Sequence, residues 1–386
     1  MRYLLWCEVN RAWKEACLVW LYSLCRELRF CEHDVKVVIF YDVDKTTADN
    51  DDSDTTSFSN HVQQIGMRFN IEIEVELFSS RDFVSDLPDN FCEGRCIDRN
   101  SVAIAISRLM NYNKLLSDNL DSSIQPMMLS ADGNSSLNTI KSPFNTIKSE
   151  LRICNPNAPI DSDNGVVYIH CDIDGIFLED SNLELLFDGI DSVIADNDSS
   201  SLLIGVNEYD DIEPALAKTH SEEFMTRLQG VYLNCGFICF YNVPTFDLSD
   251  LKTFLLSEDS YCLEQDYLNL LGCDNTNNPS LTRICLQPQY NYTYRKMLVE
   301  TSSSSQAESS TSPFTLPVFV HYYGSDKPFL PNPKSTNGID SDVTPAIAHY
   351  YFPEYGQLVF KIRCLLSVDF VNLVRKRCVE EYWSER

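Results

Sequence analysis

Residues 166–174 read VVYIHCDID, a short apolar run that ends in two aspartates separated by one residue. Short apolar runs rich in β-branched residues are typical of strands buried within a sheet. Residues i and i+2 of an extended chain project to the same side, so the carboxylates of Asp172 and Asp174 can face one point. Because open α/β sheets bind ligands beyond the carboxyl ends of their strands, this stretch predicts a binding site as well as a strand.

Two carboxylates at a strand end suit a hard divalent cation, Mg²⁺ or Mn²⁺, particularly when a phosphorylated ligand supplies further oxygens. An Asp-x-Asp pair alone is a weak signal in this chain, because 57 Asp and Glu residues stand against 30 Lys and Arg. At this point a solvated acidic loop remains the alternative to a metal site.

The flanking sequence alternates between strand-like and helix-like segments, which predicts an α/β fold with a mostly parallel central sheet. Hydrophobic periodicity predicts helices over 12–28, 61–70 and 101–116, and strands over 3–9, 35–41, 71–78, 165–170, 232–241 and 318–322. Glutamates alternate with apolar residues in the 71–78 segment, so we expect it at an edge of the sheet with its glutamates in water.

Two segments interrupt this pattern, and a third follows it. Residues 117–164 are rich in Ser, Asn and Asp without sustained periodicity, and we predict that they form a long insertion. Residues 301–312 form a Ser-rich loop of low complexity. We predict one catalytic domain over 1–330 and a helical C-terminal extension over 331–386.

Composition limits the partners and the compartment. The formal net charge of −27 repels nucleic acid and anionic membranes, so we expect neither as a main partner. The 15 cysteines form no regular framework, which suits a reducing compartment. The sequence shows no signal peptide after Met1 and no apolar run long enough to span a membrane, so we predict a cytoplasmic protein.

Three downstream motifs accompany Asp172 and Asp174 in a fixed order. A strand opens with Asn234-Cys-Gly, and a helix opens with Glu264-Gln265-Asp266. A third strand ends at His321, which is followed by Gly324 and by Lys327-Pro-Phe. At the start of the chain, Val9 and Asn10 precede Trp13, and Arg108 lies on the helix before the 165–170 strand.

Together these motifs resemble the family-8 glycosyltransferases, the group that includes glycogenin and bacterial lipopolysaccharide galactosyl- and glucosyltransferases. That family reads strand-Asp-x-Asp, Asn-x-Gly, Asp-Gln-Asp-x-x-Asn and His-x-x-Gly-x-x-Lys-Pro-Trp. The resemblance covers roughly residues 1–330 and departs at Glu264, where the family usually has Asp, and at Trp13, where it usually has Tyr.

The resemblance implies a GT-A fold, which is a Rossmann-like sheet, and a retaining hexosyltransferase. Such an enzyme transfers glucose or galactose from a UDP-sugar to an acceptor hydroxyl and depends on Mn²⁺ or Mg²⁺. It implies Asp172, Asp174 and His321 as metal ligands, with Asp172 also near the ribose. It implies that the remaining residues surround the donor: Val9, Asn10 and Trp13 at the base and ribose, Arg108, Gly324 and Lys327 at the diphosphate, and Asn234, Glu264, Gln265 and Asp266 at the sugar.

Two other hypotheses stay open. The first is a degenerate relative retained as a binding or scaffold protein. The second is a haloacid-dehalogenase-type phosphatase, because residues 37–46 read VVIFYDVDKT and place Asp42 and Asp44 after an apolar strand. Against the phosphatase, we expect the polar run 49–59 to be non-helical. The acceptor is left open as a carbohydrate, a lipid-linked molecule or a protein, and a protein acceptor of the glycogenin kind would require a homodimer.

Overall fold

The computed structural model describes residues 1–43, 51–80, 87–88, 91, 99–124, 165–197, 200–257, 260–271, 273, 281–293, 317–322, 357–358 and 361–362. The strands within these residues are β1 (Arg2–Asn10), β2 (Asp34–Asp42), β3 (Ile73–Phe78), β4 (Val166–Cys171), β5 (Gly175–Phe177), β6 (Ser201–Asn207), β7 (Leu233–Tyr241), β8 (Leu281–Leu286), β9 (Tyr292–Thr293) and β10 (Phe319–His321). The helices are α1 (Lys14–Leu28), α2 (Asp51–Phe69), α3 (Arg99–Ile124), α4 (Leu183–Asp196), α5 (Tyr209–Thr219), α6 (Glu222–Leu228), α7 (Leu248–Leu255) and α8 (Glu264–Leu271). Short 3-10 turns span Arg11–Trp13 and Pro288–Asn291.

Seven strands form the central sheet in the order β3-β2-β1-β4-β7-β6-β8. The strands β3, β2, β1 and β4 run parallel, β7 runs antiparallel to both of its neighbours, and β8 is parallel to β6. The predicted α/β class with a mostly parallel central sheet is confirmed. Strands that are buried on both faces read as continuous apolar runs, which is why β1, β4 and the antiparallel β7 all stand out in the sequence.

Alternate residues of each central strand enter opposite cores. In β1, Tyr3 and Leu5 pack with helices α1, α2 and α4 on one face, whereas Leu4 and Trp6 pack with α3, α7 and α8 on the other. The period of two in a strand produces this division, and it buries the strand on both sides. The site described below lies where these buried strands end.

A small second sheet of three strands, β5-β10-β9, stands beside the central one. β5 begins directly after Asp174 and pairs antiparallel with β10, so that Gly175 lies opposite His321. A side chain on Gly175 would lie 2.2 Å from the ring of Phe319 and 2.8 Å from the carbonyl of Val320. The absence of that side chain allows the two strands to approach, which brings β10 against the acidic loop.

The edge position predicted for 71–78 is confirmed, since β3 is an outer strand of the sheet. Its face assignment is only partly correct. Glu74 is exposed, but Glu76 pairs with Lys114 of α3 and is mostly buried, while Leu77 is 55% exposed. A helix crossing over the edge strand therefore supplies a cation where alternation alone predicted water.

Two boundaries differ from the sequence-based predictions. The polar run 49–59, which we expected to be non-helical, is largely helical, because α2 begins at Asp51. Phe58, Val62 and Ile65 give this helix a buried apolar face that packs in the core. Likewise α3 continues to Ile124, eight residues into the predicted insertion. Ser117 and Asn119 donate to carbonyls one turn back, so they continue the helix without apolar periodicity.

The remainder of the predicted insertion (125–164) and the Ser-rich loop (301–312) lie outside the described residues. The predicted C-terminal extension also lies outside them, except for residues 357–358 and 361–362, which are helical. There Leu358 and Ile362 are buried against the core that contains α1. Among the described residues, no helix has the length and apolar composition that crossing a bilayer requires.

Asp42, at the end of β2, anchors the loop that follows β3. Its carboxylate accepts 2.9 Å and 2.6 Å hydrogen bonds from the backbone N–H and the hydroxyl of Ser80, which is itself buried. Asp44 lies outside the described residues.

We expect Asp42→Ala to lower the free energy of unfolding by about 1–3 kcal/mol, because the buried N–H of Ser80 loses its acceptor. Asp34→Ala, at the other end of the same strand, is the matched control. Asp34 forms an exposed ion pair with Arg2, so its loss should change stability by less than about 1 kcal/mol. Urea unfolding of the two variants measures both effects, and equal losses would contradict the anchoring role.

Candidate active site

A cavity of about 240 Å³ opens beyond the carboxyl ends of β1 and β4. It is lined by residues from the end of β1 and the turn after it, from α3, from the end of β4 and the acidic loop, and from the start of α8: Glu8, Val9, Asn10, Trp13, Ile104, Arg108, His170, Cys171, Asp172, Ile173, Asp174, Leu263 and Glu264. Neighbouring parallel strands end at the same edge of a sheet, which is why these distant segments meet.

The acidic loop and β10 together form a group of metal-binding type. Asp172, Asp174 and His321 each offer one ligand atom, and these atoms lie within 4.8 Å of one another. The Nε2 atom of His321 lies 3.1 Å from Asp174 Oδ1 and 3.5 Å from Asp172 Oδ2. Metal–ligand bonds of about 2.0–2.4 Å place ligand atoms at such separations, so the residues fit a divalent cation. A donor set of two carboxylates and one imidazole suits Mn²⁺ better than Mg²⁺.

Gly236 explains how His321 reaches the two aspartates. A side chain at position 236 would lie 2.2 Å and 2.3 Å from ring atoms Cε1 and Nδ1 of His321. The carbonyl of Gly236 also accepts a 2.8 Å hydrogen bond from the N–H of Asp172. Because the residue has no side chain, the imidazole packs against the backbone of β7. This close packing explains why the Asn-x-Gly motif has a glycine.

Arg108 joins the acidic loop to the start of α8. Its guanidinium donates to Asp172 at 2.6 Å and also to Glu264, and both the guanidinium and Glu264 are buried. Burial alone would lower the pKa of Arg108, but Asp172, Glu264 and Glu8 outweigh it and raise that pKa above its usual value. Burial raises the pKa of Glu264, although the charge of Arg108 opposes the shift. The arginine therefore holds two carboxylates of the cavity wall in place.

The side chains of Asn234, in β7, and Gln265, at the start of α8, both bond to the backbone of β7. The amide oxygen of Asn234 accepts 2.7 Å hydrogen bonds from Gly236 N–H and from the side chain of Asn291. The amide oxygen of Gln265 accepts a 2.9 Å bond from Cys235 N–H. Through the Gly236 contact, this amide pair adjoins His321.

Asp266 lies behind the site and does not line the cavity. Its side chain is fully buried, accepts hydrogen bonds from Tyr232 OH at 2.6 Å and from Cys262 N–H at 2.5 Å, and lies 3.1 Å from Nε2 of His220. These contacts fix the first turn of α8, and with it Glu264 and Gln265. Its predicted contact with the sugar stays a prediction.

The end of β1 and the turn after it bring Val9, Asn10 and Trp13 to the cavity. Their predicted contacts with the base and ribose stay a prediction. Trp13 is half-buried, with one side against the core that contains α1. Gly324 and Lys327 lie outside the described residues, so their predicted place at the diphosphate stays a prediction.

The sequence analysis did not identify Glu8 and His170, which form a buried pair in the cavity wall. His170 Nε2 lies 2.8 Å from Glu8 Oε2, and Glu8 Oε1 accepts hydrogen bonds from Trp6 and Asn111. Burial raises the pKa of Glu8, but His170, the charge of Arg108 and the hydrogen bond from Asn111 outweigh it and lower that pKa below its ordinary value. Their sequence signal is a polar, ionisable residue near the end of an apolar strand: Glu8 in β1 and His170 in β4.

No family model and no curated protein sequence matches this chain. Several solved structures align with it. One is the galactosyltransferase LgtC in complex with donor and acceptor sugar analogs, at 13% identity over 94% of this chain and 96% of that chain, with a TM-score of 0.47. Another is mouse xyloside xylosyltransferase 1 in its apo form, at 12% identity over 83% and 98% of the two chains, with a TM-score of 0.39. A third is the glycosyltransferase GlyE of Streptococcus pneumoniae, at 12% identity over 94% of this chain and 63% of that one, with a TM-score of 0.41.

All three are glycosyltransferases, the class that the sequence motifs resemble. At identities of 12–13% and TM-scores below 0.5, the likeness by itself assigns neither a donor nor an acceptor to this chain.

We expect Gly236→Ala to weaken Mn²⁺ binding by roughly 10- to 100-fold, because the new methyl group displaces the imidazole of His321. Gly205→Ala, on the neighbouring strand β6, is the matched control, since its nearest contact would be an ordinary 3.4 Å. Isothermal titration with Mn²⁺ measures the affinity, and circular dichroism checks the fold. Equal Mn²⁺ affinities in the two variants would exclude His321 as a ligand held by Gly236.

Proposed function

We propose that this chain is a metal-dependent glycosyltransferase that uses a UDP-sugar donor and retains the configuration of the transferred hexose. The observation that carries the proposal is the meeting of Asp172, Asp174 and His321 beside a cavity at the carboxyl edge of the sheet. Three ligands from two separate sheets converge there. Such convergence favours a preorganised metal-binding site over a solvated acidic loop.

A divalent cation held by these ligands would neutralise the charge that develops on the departing diphosphate. The chain's own residues keep its ligands ready for this. Arg108 neutralises part of the charge on Asp172, so that the two aspartates can lie close together before a cation arrives. Gly236 sets the position of the imidazole, and the N–H of Asp172 is fixed on the same residue. Lys327, by resemblance, would add a further positive charge at the diphosphate.

The donor would lie across the ends of β1 and β4. Trp13 offers an aromatic face for the uracil, and Val9 and Asn10 flank the base and ribose in this proposal. Asn234, Glu264 and Gln265 would surround the hexose, with Asp266 fixing the helix that carries two of them. Glucose and galactose are the donors that the resemblance favours.

Gln265 is the residue that we place on the face of the sugar from which the acceptor approaches. The amide oxygen of Gln265 accepts from Cys235 N–H, and its NH₂ group donates to the carboxylate of Glu208. Glu264 has one methylene more than the aspartate usual in the family, and the longer side chain reaches Arg108. We propose that this pair sets the sugar preference of the chain.

The acceptor stays open as a carbohydrate, a lipid-linked molecule or a protein, with a homodimer as the arrangement for self-glycosylation. A cytoplasmic location is part of the proposal. Its support is that the ten cysteines in the described ranges are all free thiols, which suits a reducing compartment.

We expect the protein to release UDP slowly from UDP-glucose or UDP-galactose when Mn²⁺ is present, and to stop when EDTA removes the metal. Asp174→Ala should lower the rate about 100-fold or more, because metal stabilisation of the leaving group contributes several kcal/mol. Coupled detection of UDP measures the rate, and comparing the two donors identifies the sugar.

Asp188→Ala is the matched control. Asp188 belongs to a second group of acidic residues around a histidine, formed with His33 and Glu184 on the outer surface, and it is mostly exposed. Its loss should leave UDP release unchanged. If the wild-type protein neither binds nor hydrolyses a UDP-sugar with Mn²⁺, the transferase proposal fails. A scaffold protein, or a phosphatase that depends on Asp42, would then take its place.

A further inference from the structure

Glu208 is a buried carboxylate that belongs to none of the sequence motifs. It follows β6 directly and occupies the position before the first turn of α5. Its backbone N–H donates to Tyr232 O, and its carbonyl accepts from Asp211 and Ile212. Its side chain does not cap the helix, a task for which serine, threonine, aspartate and asparagine are preferred. The carboxylate instead points into the protein, toward β7 and α8.

Both oxygens of Glu208 accept hydrogen bonds from amide side chains of the proposed sugar site. Oε1 accepts from Gln265 Nε2 at 2.9 Å, and Oε2 accepts from Asn234 Nδ2 at 2.9 Å. One carboxylate thus connects two residues that come from different elements. In the part of the chain that the structure describes, no lysine or arginine forms an ion pair with it.

The pattern of donors leaves each amide one orientation. Backbone N–H groups can only donate, so Cys235 requires the oxygen of Gln265, and Gly236 requires the oxygen of Asn234. Each NH₂ group must then face the other way, where Glu208 is the acceptor. An ionised carboxylate is the side chain that accepts at both ends and donates at neither.

Burying an ionised carboxylate costs free energy, so a gain in stability does not explain why a glutamate occupies position 208. Burial raises the pKa of Glu208, whereas the two amides and the charge of His321 favour the ionised form. A serine or asparagine at this position would cap α5 at lower cost. The neighbours suggest what is gained, because Asn234 contacts Gly236, against which His321 packs.

We infer that Glu208 is a positioning residue of the transfer site, which fixes the amides of Gln265 and Asn234 in the orientation that the sugar meets. The inference rests on the proposed function. It adds a residue that acts through two others and contacts no substrate itself. Its consequence is that Gln265 cannot turn its amide without breaking bonds to both Glu208 and Cys235.

The test is Glu208→Gln, which keeps the size of the side chain and replaces one acceptor by a donor. That NH₂ group then faces the NH₂ group of Gln265 or of Asn234, and one of the two amides must turn. We expect kcat for donor hydrolysis to fall about 10- to 100-fold, as for other losses of a supporting residue. The KM for the UDP-sugar and the Kd for UDP with Mn²⁺ should change less than about threefold, because the nucleotide contacts are untouched.

Glu223→Gln is the matched control, since it removes an exposed glutamate from the nearby helix α6 and should leave kcat unchanged. A merely structural role for Glu208 predicts a lower Tm together with a wild-type kcat for the folded protein. That result, or a fall in UDP affinity equal to the fall in kcat, would overturn the inference.

A double variant provides the rescue. In Glu208→Gln with Asn234→Asp, the amide at position 208 donates to the carboxylate at 234, and its oxygen accepts from Gln265, so every donor again meets an acceptor. Each single change creates a mismatch, whereas the pair removes it at unchanged net charge. We expect the double variant to have a kcat at least about tenfold above that of either single variant, a coupling that a double-mutant cycle measures.

If Glu208→Gln does not fold, the double variant carries the test against Asn234→Asp alone, and equal kcat values would overturn the inference. The outcomes also separate the two proposals. A wild-type protein without donor turnover overturns the transferase proposal and this inference with it. Turnover in the wild type that persists undiminished in Glu208→Gln overturns this inference alone.

Discussion

The close approach of backbone segments at Gly236 is the constraint on which the candidate site depends. The carbonyl of this residue receives the N–H of Asp172, its missing side chain leaves the space that the His321 ring fills, and its N–H fixes the oxygen of Asn234. One position on β7 therefore sets the acidic loop, the third candidate ligand and an amide of the proposed sugar site. Any side chain there would separate all three, so a glycine is required by sterics and not by flexibility.

The electrostatics of the site follow from the same crowding. Asp172, Glu264 and Glu8 line the cavity, and each has a charged or ring partner: Arg108 lies between Asp172 and Glu264, and His170 lies beside Glu8. Glu208, outside the cavity lining, is held by two amides. Buried carboxylates persist only when such partners oppose the cost of removing them from water. In a chain with a net charge of −27, these local partners keep the carboxylates of the site organised.

Much of the fold could be predicted because its strands are buried on both faces. Continuous apolar runs marked β1, β2, β4 and β7, and the alternating glutamates placed β3 at an edge. The misses have physical causes. Helix α2 begins in a polar run, and Phe58 and Val62 further along it supply the face that packs in the core. Helix α3 continues through serines and asparagines that bond to their own helix. Hydrophobic periodicity marks the residues of a helix that pack against the core. It does not show how far the helix extends into polar residues at its ends.

The sequence by itself determined the strand ends and the residue types of the candidate site, because these residues lie at the ends of elements that local pattern can recognise: Asp172, Asp174, Asn234, Gln265 and His321. Tertiary structure alone decided their partners. Asp266 proves to be fully buried behind the site, and Glu8, His170 and Glu208 join it from positions that no motif marks. The reason is that a motif records which side chains are close along one segment. The pairing of a carboxylate depends on which strands are neighbours in the sheet, and the chain order of β4, β6 and β7 does not reveal that.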